Sequence, residues 1–530
     1  MSAAEAGSAQ DGLPAVVERL RAQDFLGAAR AAEGALAQSP GHPDLLHLLG
    51  LARRHLGQID SAIGALEQAA AADPRRASFH FNLGQVYAAR GSRSAAIDSL
   101  LRALTLDPGH LRARYELACL WRAQRDLDRA ERELRACLAK GADDARIHVE
   151  LTATLLDRGR PDLVLPVAKA GLVLAPELAA LHTNLGNALR DIGRPKQAIA
   201  SYDRALGLAP DSIEIRLNRA MALLRAGRLA EGFPAYEVRL AKPGMVRQAL
   251  AALPAWDGSF APAGRTLLLH GEQGHGDSIQ FIRYAALARR RGARVLVECQ
   301  HRLYRLFAGQ GDGLADQVFV RDREVPPCDA RASLLSMPAL MQTDLMSIPA
   351  ATPYLRPVPG VAFDLPPAPA AARLKLGLVW SGNPGHQQDH LRSCPLSVLA
   401  PVLALPDIAI YPLQLEIDAA ERAQLAASPS VVFLDHPQAD FADAAAAMMQ
   451  LDLIISVDTA TAHLAGALGR PGIVLLSQGA DWRWMVDRDD SPWYPSLTLI
   501  RQARPGDWAG VARRLVERLR ATPGTPSPSP

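Results

Sequence analysis

The chain has 530 residues, 49% of them hydrophobic and 21% charged. That is an ordinary globular composition, which excludes a disordered polymer, and at about 150 residues per domain it predicts three or four domains rather than one core. Lys+Arg minus Asp+Glu is 58 − 55 = +3, split at Val246 into 32 − 28 = +4 before and 26 − 27 = −1 after, so neither half has the basic excess that would point to a nucleic-acid partner.

The start, MSAAEAGSAQDG, lacks a basic stretch followed by an apolar core, so no signal peptide is expected. No uncharged apolar run reaches the ~18–20 residues of a membrane span. Five scattered cysteines without a CxxC pair suit a reducing compartment rather than a disulfide framework or a metal site. The expected location is the cytoplasm.

The first half repeats itself. Gly50, Gly84, Ala118, Thr152, Gly186 and Ala220 are 34 residues apart, and so are Ala62, Ala96, Ala130, Val164, Ala198 and Gly232. Pro40, Pro74, Pro108, Pro176 and Pro210 form a third series, with Ala142 in its one empty slot. Two small residues 12 apart place one on each of two successive helices, which can then approach closely, and proline closes each pair because it cannot continue a helix. Leu49, Leu83, Leu117, Leu151 and Leu185 fill the remaining space. This is the tetratricopeptide period. An α-solenoid of about seven repeats is expected over residues 9–246, with irregular ends as caps. Asn82, Glu116, Glu150, Asn184 and Asn218 form a polar ladder on the first helix of each repeat. It either hydrogen-bonds the backbone of a protein partner or is a solvated helix face.

Beyond Lys242 the pattern changes, and six of the seven tryptophans follow it. Strands are predicted at Arg265–His270, Arg294–Glu298, Leu374–Trp380, Ile408–Leu413, Val431–Leu434, Leu453–Val457 and Gly472–Leu476, with helices between, one of them near Ile279–Arg291. Thr343–Pro369 has seven prolines in its last 21 residues and reads as a linker. The expectation is an α/β region of two Rossmann-like halves, 247–360 and 371–520, facing a cleft, then a disordered tail over 521–530. The amphipathic helix near Trp508–Leu519 is expected to cross back onto the first half.

Three segments carry the chemistry. GEQGHGDS, Gly271–Ser278, joins a strand to a helix. Gly274 and Gly276 allow tight turns, and Asp277 is either a helix cap or a general base. WSGNPGHQQDHLRSCP, Trp380–Pro395, opens at a strand end, where open α/β sheets bind ligands. Arg392 can pair a diphosphate there, and Trp380, Ser381, Asn383 and Gln414 are grouped with it on the donor side. His386 and His390 are not expected to bind metal in so flexible a loop. LIISVDTATAHLAGALGRP runs a strand straight into a helix start suited to a diphosphate. Asp458 can hold sugar hydroxyls and Thr459 and Thr461 can donate to phosphate oxygens, while His463 is either a ligand contact or a packing residue. DWRWMVDRDDSPWYP follows as pocket wall or interdomain packing. Cys119, Cys137 and Trp121 are read as core.

Gly276-Asp277 in the first loop, with Asp458-Thr459 and His463 at the later helix, resembles the heptosyltransferase-like glycosyltransferases of the GT-B fold. The resemblance implies that Asp277 deprotonates the acceptor, that Arg392 binds the donor diphosphate where the lipopolysaccharide enzymes have lysine, and that Asp458 holds the donor sugar with Thr459 by the phosphates. Ala460 stands where the family often has glycine, which bears on the donor. With the repeats included, the chain is similar to bacterial proteins that join such an array to a glycosyltransferase, some of which glycosylate flagellin in the cytoplasm. WDGSFAPAGRTLLLHGEQGHGDSIQFIRYA and DDSPWYPSLTLIRQ carry that likeness. The array itself resembles that of the O-linked N-acetylglucosamine transferases, in which asparagines hold the acceptor protein. The implied function is an inverting, metal-independent transfer from a nucleotide-sugar, with no further cofactor, to a protein recruited by the repeats. The alternatives are a non-catalytic scaffold with a degenerate transferase domain, and an enzyme assembling glycolipid or polysaccharide.

Overall fold

The computed structural model describes residues 3–245, 247–258, 263–272, 274–385, 389–435 and 438–522, with side chains from residue 12 onward except that of residue 312. His386 and residues 523–530 of the expected tail lie outside the described residues. Two compact units result, Met1–Glu177 and Leu178–Pro530.

The first unit is helical: α1 (Ala3–Arg21), α2 (Phe25–Gln38), α3 (Pro43–His55), α4 (Ile59–Ala72), α5 (Ala77–Arg90), α6 (Arg93–Leu106), α7 (Leu111–Ala123), α8 (Leu127–Ala139), α9 (Ala145–Asp157) and α10 (Pro161–Leu174). The helices pair in sequence order as tetratricopeptide repeats, and the small residues are where they touch. A Cβ on Gly50 would lie 2.6 Å from Leu66 Cγ, and one on Gly84 would lie 2.9 Å from Leu100 Cγ. Ala62, Ala96, Ala130 and Val164 are fully buried opposite. Pro40, Pro74, Pro108 and Pro176 each stand two residues beyond the end of a second helix. A further 34-residue series sets the turn inside each pair: Gln23, Gly57, Gly91, Arg125 and Gly159 all have φ between +60° and +84°. Glycine adopts this left-handed backbone without strain.

The second unit begins with two more helix pairs, α11 (Ala179–Asp191) with α12 (Pro195–Leu208) and α13 (Ile213–Arg225) with α14 (Leu229–Tyr236), then a 3-10 turn at Glu237–Ala241 and α15 (Gln248–Ala251). Gly193 and Gly227 continue the left-handed series. An α/β region follows with β1 (Thr266–His270), α16 (His275–Phe281), α17 (Arg283–Arg290), β2 (Arg294–Cys299), α18 (Tyr304–Ala308), β3 (Gln317–Val320), β4 (Ala330–Ser333) and α19 (Met337–Leu340). The order is β3-β2-β1-β4, all parallel, with Leu268 opposite Leu296 and Arg331. After the proline-rich segment come β5 (Leu374–Val379), α20 (Asp389–Arg392), α21 (Ala400–Leu403), β6 (Ile408–Pro412), α22 (Ala419–Ala426), α23 (Phe441–Met448), β7 (Leu453–Val457), α24 (Ala460–Ala467), β8 (Gly472–Leu476), β9 (Leu497–Arg501) and α25 (Trp508–Ala521). They build a second parallel sheet, β6-β5-β7-β8-β9. Its inner strands β7 and β8 are buried along their whole length, which is why they read as unbroken apolar runs.

One core joins both sheets to the last repeats, with Leu224 and Phe233 of the repeats beside Leu267, Val297, Ile454 and Val474 of the sheets. Arg283 locks the two sheets together, donating to the carbonyls of Pro349 and Trp493 and to the Tyr354 hydroxyl.

Several expectations are corrected. Val431–Leu434 is not a strand: the segment makes one bridge to Ile410 and leaves. The helix expected near Ile279–Arg291 starts earlier, at His275, and is broken between α16 and α17. Strands β3, β4 and β9 had no sequence prediction. Helix α25 does not pack on the first sheet. Its stripe of Val511, Leu515 and Leu519 joins Leu376, Leu378 and Ile410 on the outer face of the second sheet, and Arg373 ties its end through the Leu519 and Thr522 carbonyls. Among the described residues no helix is long and apolar enough to cross a membrane.

Candidate functional site

The site lies in the second unit, where parallel strands of both sheets end in loops. From the first sheet, β1 leads through Gly271 and Glu272 to Gly274, which caps α16. Asp277 Oδ2 accepts the Gly274 backbone N–H at 2.8 Å, so the capping reading of Asp277 holds for one oxygen. Its other oxygen, Oδ1, receives an Arg483 Nη2 hydrogen bond. Gly276 is where α16 meets α24: a Cβ there would lie 2.8 Å from His463 Cδ2 and 3.5 Å from Ala460 Cα.

From the second sheet, β5 opens into a polar loop. The Ser381 N–H donates to Gln414 Oε1 at 3.3 Å and the Gly382 N–H to Ser393 Oγ at 2.9 Å. Arg392 Nε donates to Asp389 at 3.0 Å, and its guanidinium lies over Gly382, where a Cβ would come within 2.6 Å of Nη2. Asn383 accepts the Gly385 N–H at 2.9 Å. Strand β7 ends at Val457, Asp458 follows it, and Thr459 is the N-cap residue of α24, with its hydroxyl 2.9 Å from that of Ser456.

These loops enclose a cleft of about 690 Å³. Gly274, Gly276 and Asp277 line it from one side, and Ser381, Asn383, Arg392, Gln414, Asp458, Thr459, Thr461 and His463 from the other. Trp380 does not reach it. Its ring is buried in the core behind the second sheet and its indole N–H donates to Glu421 at 2.6 Å, so it anchors the loop and cannot touch a ligand. His463 faces the cleft but is itself packed, stacked on Trp484 at 5.3 Å with Nδ1 2.9 Å from the Tyr494 hydroxyl. His390 lies on α20, and among the described residues no group of three or more His, Cys, Asp or Glu side chains could hold a metal.

The electrostatics centre on a cation that sequence reasoning passed over. Arg483 pairs with Asp277 and, at 2.8 Å, with Asp481, and its guanidinium lies 4.3 Å from the Trp482 ring. The Trp- and Asp-rich segment thus serves both expected purposes: Asp481 and Arg483 line the cleft, while Trp482, Trp484 and Trp493 fill the core. Burial raises the Asp277 carboxyl above its ordinary value, against the pull of Arg483. Asp458 is also raised, by burial first and then by the Asp481 carboxylate, against Trp484, Arg392 and Arg483. Burial works to raise Asp481 too, but the Arg483 charge and backbone N–H hold it below the ordinary value. Burial pushes the His463 imidazole down to about 3, so it is neutral. The arrangement offers a carboxylate of raised basicity on one wall and a cation with a helix start on the other.

The polar ladder is elsewhere. In the first unit Asn82 Nδ2 is 2.6 Å from His47 Nε2, Gln85 donates to Glu116 at 3.3 Å, and Arg122 donates to Glu150 at 3.3 Å. These three side chains are therefore engaged with neighbouring repeats. Asn184 and Asn218 are half-buried on α11 and α13 of the second unit. Cys137 is buried in its repeat, and Trp121 carries the Arg129 guanidinium 4.6 Å from its ring.

Comparison with known proteins finds two kinds of likeness in the chain. Residues 13–66, 47–110 and 183–244 match the tetratricopeptide repeat, and residues 416–506 match glycosyltransferase family 9 (heptosyltransferase). Protein FlbA of Caulobacter vibrioides is 30% identical over 151 residues, 28% of this chain and 25% of FlbA, so the chain spans a quarter of that relative's length. Among solved structures, the MamA protein is 22% identical with a TM-score of 0.30, over 32% of this chain and 93% of MamA. Pseudomonas aeruginosa pilF is 16% identical with a TM-score of 0.37, over 41% of this chain and 99% of that one. The chain combines tetratricopeptide repeats with a glycosyltransferase-like region, and the family 9 match supports a glycosyltransferase activity.

Proposed function

We propose that the cleft is the active site of an inverting, metal-independent glycosyltransferase of the GT-B kind that moves a sugar from a nucleotide-sugar to a protein hydroxyl. The observation that carries this is the convergence of Asp277 from the first sheet with Arg392, Asp458 and Thr459 from the second on one cavity of about 690 Å³ at strand ends. The donor diphosphate takes Arg392 and the amides at the start of α24, which stabilise the charge that develops as it leaves. Asp458 and Thr459 hold the donor sugar and phosphates. Asp277 removes the proton from the acceptor hydroxyl as its oxygen bonds to the anomeric carbon and the bond to the diphosphate breaks. A carboxylate raised by burial suits that task. The residues need no cofactor beyond the co-substrate. The repeats present the acceptor, flagellin being the candidate that the family likeness suggests, in the cytoplasm.

Thermal stability against UDP, GDP, ADP, CMP and CDP tests the donor site. A nucleotide at 100 times its dissociation constant stabilises by about 2.7 kcal/mol, a shift of several degrees. A clear winner supports the reading and names the donor class. A flat panel with the protein folded sinks it in favour of a scaffold working through its repeats.

A further inference from the structure

Two arginines of the repeat segment leave their own helices to grip the loops of the cleft. Arg225, the last residue of α13, is 2% exposed, and its Nη2 donates to the Gln478 carbonyl at 2.5 Å. That carbonyl starts the loop carrying Asp481 and Arg483, and Gly479 there lies against Asp191 at the end of α11: a Cβ on Gly479 would meet the Asp191 carbonyl oxygen at 3.5 Å. Arg239, in the turn after α14, is 1% exposed. It holds both carboxylate oxygens of Glu272, at 2.9 Å and 3.0 Å, and the Ser336 hydroxyl at 2.8 Å. Glu272 belongs to the loop that leads to Asp277. Phe233 of α14 wedges edge-on between Trp482 and Trp493, at 5.7 Å and 6.2 Å.

The two gripped loops are the ones whose side chains meet, Arg483 of the later loop on Asp277 of the earlier. An ordinary repeat surface does not need a buried guanidinium aimed at a foreign backbone carbonyl, because burying such a charge costs free energy unless its bonds are well made. A bidentate arginine–carboxylate pair fixes direction as well as distance.

We propose that the last repeat is the frame of the cleft, with Arg225 and Arg239 as positioning residues that hold the Gln478–Arg483 loop and, through Glu272, the start of α16 in register. The contact between Arg483 and Asp277 is then set from the repeat side, and the repeats do more than recruit a partner. For catalysis this rests on the transferase reading above; for loop geometry it does not.

The full-length protein carries the test. In Arg225→Met, amide hydrogen exchange over 478–485 rises, while β1 and β8 exchange as before. In the same variant kcat for donor turnover falls by roughly 10–100-fold with KM little changed, the scale expected when a catalytic group is misplaced by about an ångström. Arg225→Lys, which keeps a donor, recovers most of both. Arg239→Lys gives the corresponding change over 271–281, and it decides the matter if Arg225→Met does not fold. Arg219→Gln, at a half-buried residue of the same helix that pairs with Asp203 and not with the cleft loops, leaves both readouts unchanged. Loop exchange and kcat at wild-type values in Arg225→Met, or a rise spread evenly over the chain, overturns the proposal. If the wild type turns over no nucleotide-sugar, the transferase reading fails and the exchange arm alone judges the frame.

Discussion

Gly276 and His463 touch across two helices of opposite halves of the cleft, so closely that a Cβ on residue 276 would stand 2.8 Å from the imidazole Cδ2. The ring has nowhere to go, being stacked on Trp484 and bound to the Tyr494 hydroxyl. Gly276→Ala therefore forces α16 and α24 apart. The expected cost is about 1–3 kcal/mol, as for overpacked cores, seen as a lower Tm and weaker nucleotide binding. A variant melting with the wild type would show that the two helices are not held by this contact.

Arg392 tests the donor wall. It lines the cleft and its only hydrogen bond among the described residues is to Asp389. If it meets a diphosphate, Arg392→Ala removes charge-assisted bonds and weakens nucleotide binding by about 1.5–3 kcal/mol, roughly ten- to a hundredfold, with little change in Tm. Titration calorimetry measures it, and an unchanged Kd would remove Arg392 from the donor site.

Acid should weaken the second unit through its buried histidines. Burial holds His463 at about 3 and His270 at about 4, against an ordinary 6.5. Below 6.5 the unfolded chain binds protons that the folded chain refuses, so stability falls as pH falls towards those values, by up to about 1.4 kcal/mol per pH unit for each group. His463→Gln should be less stable at neutral pH and lose less between about pH 7 and about pH 5. Urea midpoints at both values decide it: parallel losses in variant and wild type contradict a neutral His463.

The repeats were legible because their packing rule is local. A small residue every 34 positions is visible in one dimension. The left-handed turn series is equally regular but harder to see, since Gln23 and Arg125 stand in it among five glycines. Asp277 and Asp458 were legible because strand-to-helix loops place them. Arg483 was not, because it acts on a residue 206 positions away and nothing near it in the chain announces that. Nothing in the chain around Arg225 and Arg239 announces their partners either, 253 and 33 positions away. The sequence groups Trp380 with its loop, yet its ring packs in the core behind the second sheet, where its indole N–H finds Glu421. Val431–Leu434 has the composition of a strand but only a single bridge to pair with.

The turn series gives a clean stability test in the first unit. Gly91 has φ +84° and open space where a Cβ would stand, so Gly91→Ala meets only backbone strain. The expected loss is about 1 kcal/mol. An unchanged or raised Tm would mean that the turn relaxes without glycine.

Sugar transfer itself tests Asp277 as the base. Labelled nucleotide-sugars, incubated with the full-length protein and a lysate of source cells lacking it, report transfer as label on protein. Label is expected with the wild type and a loss of about 10²–10⁴-fold in Asp277→Asn, the usual worth of a general base, with nucleotide binding retained. Transfer by Asp277→Asn at the wild-type rate would contradict it.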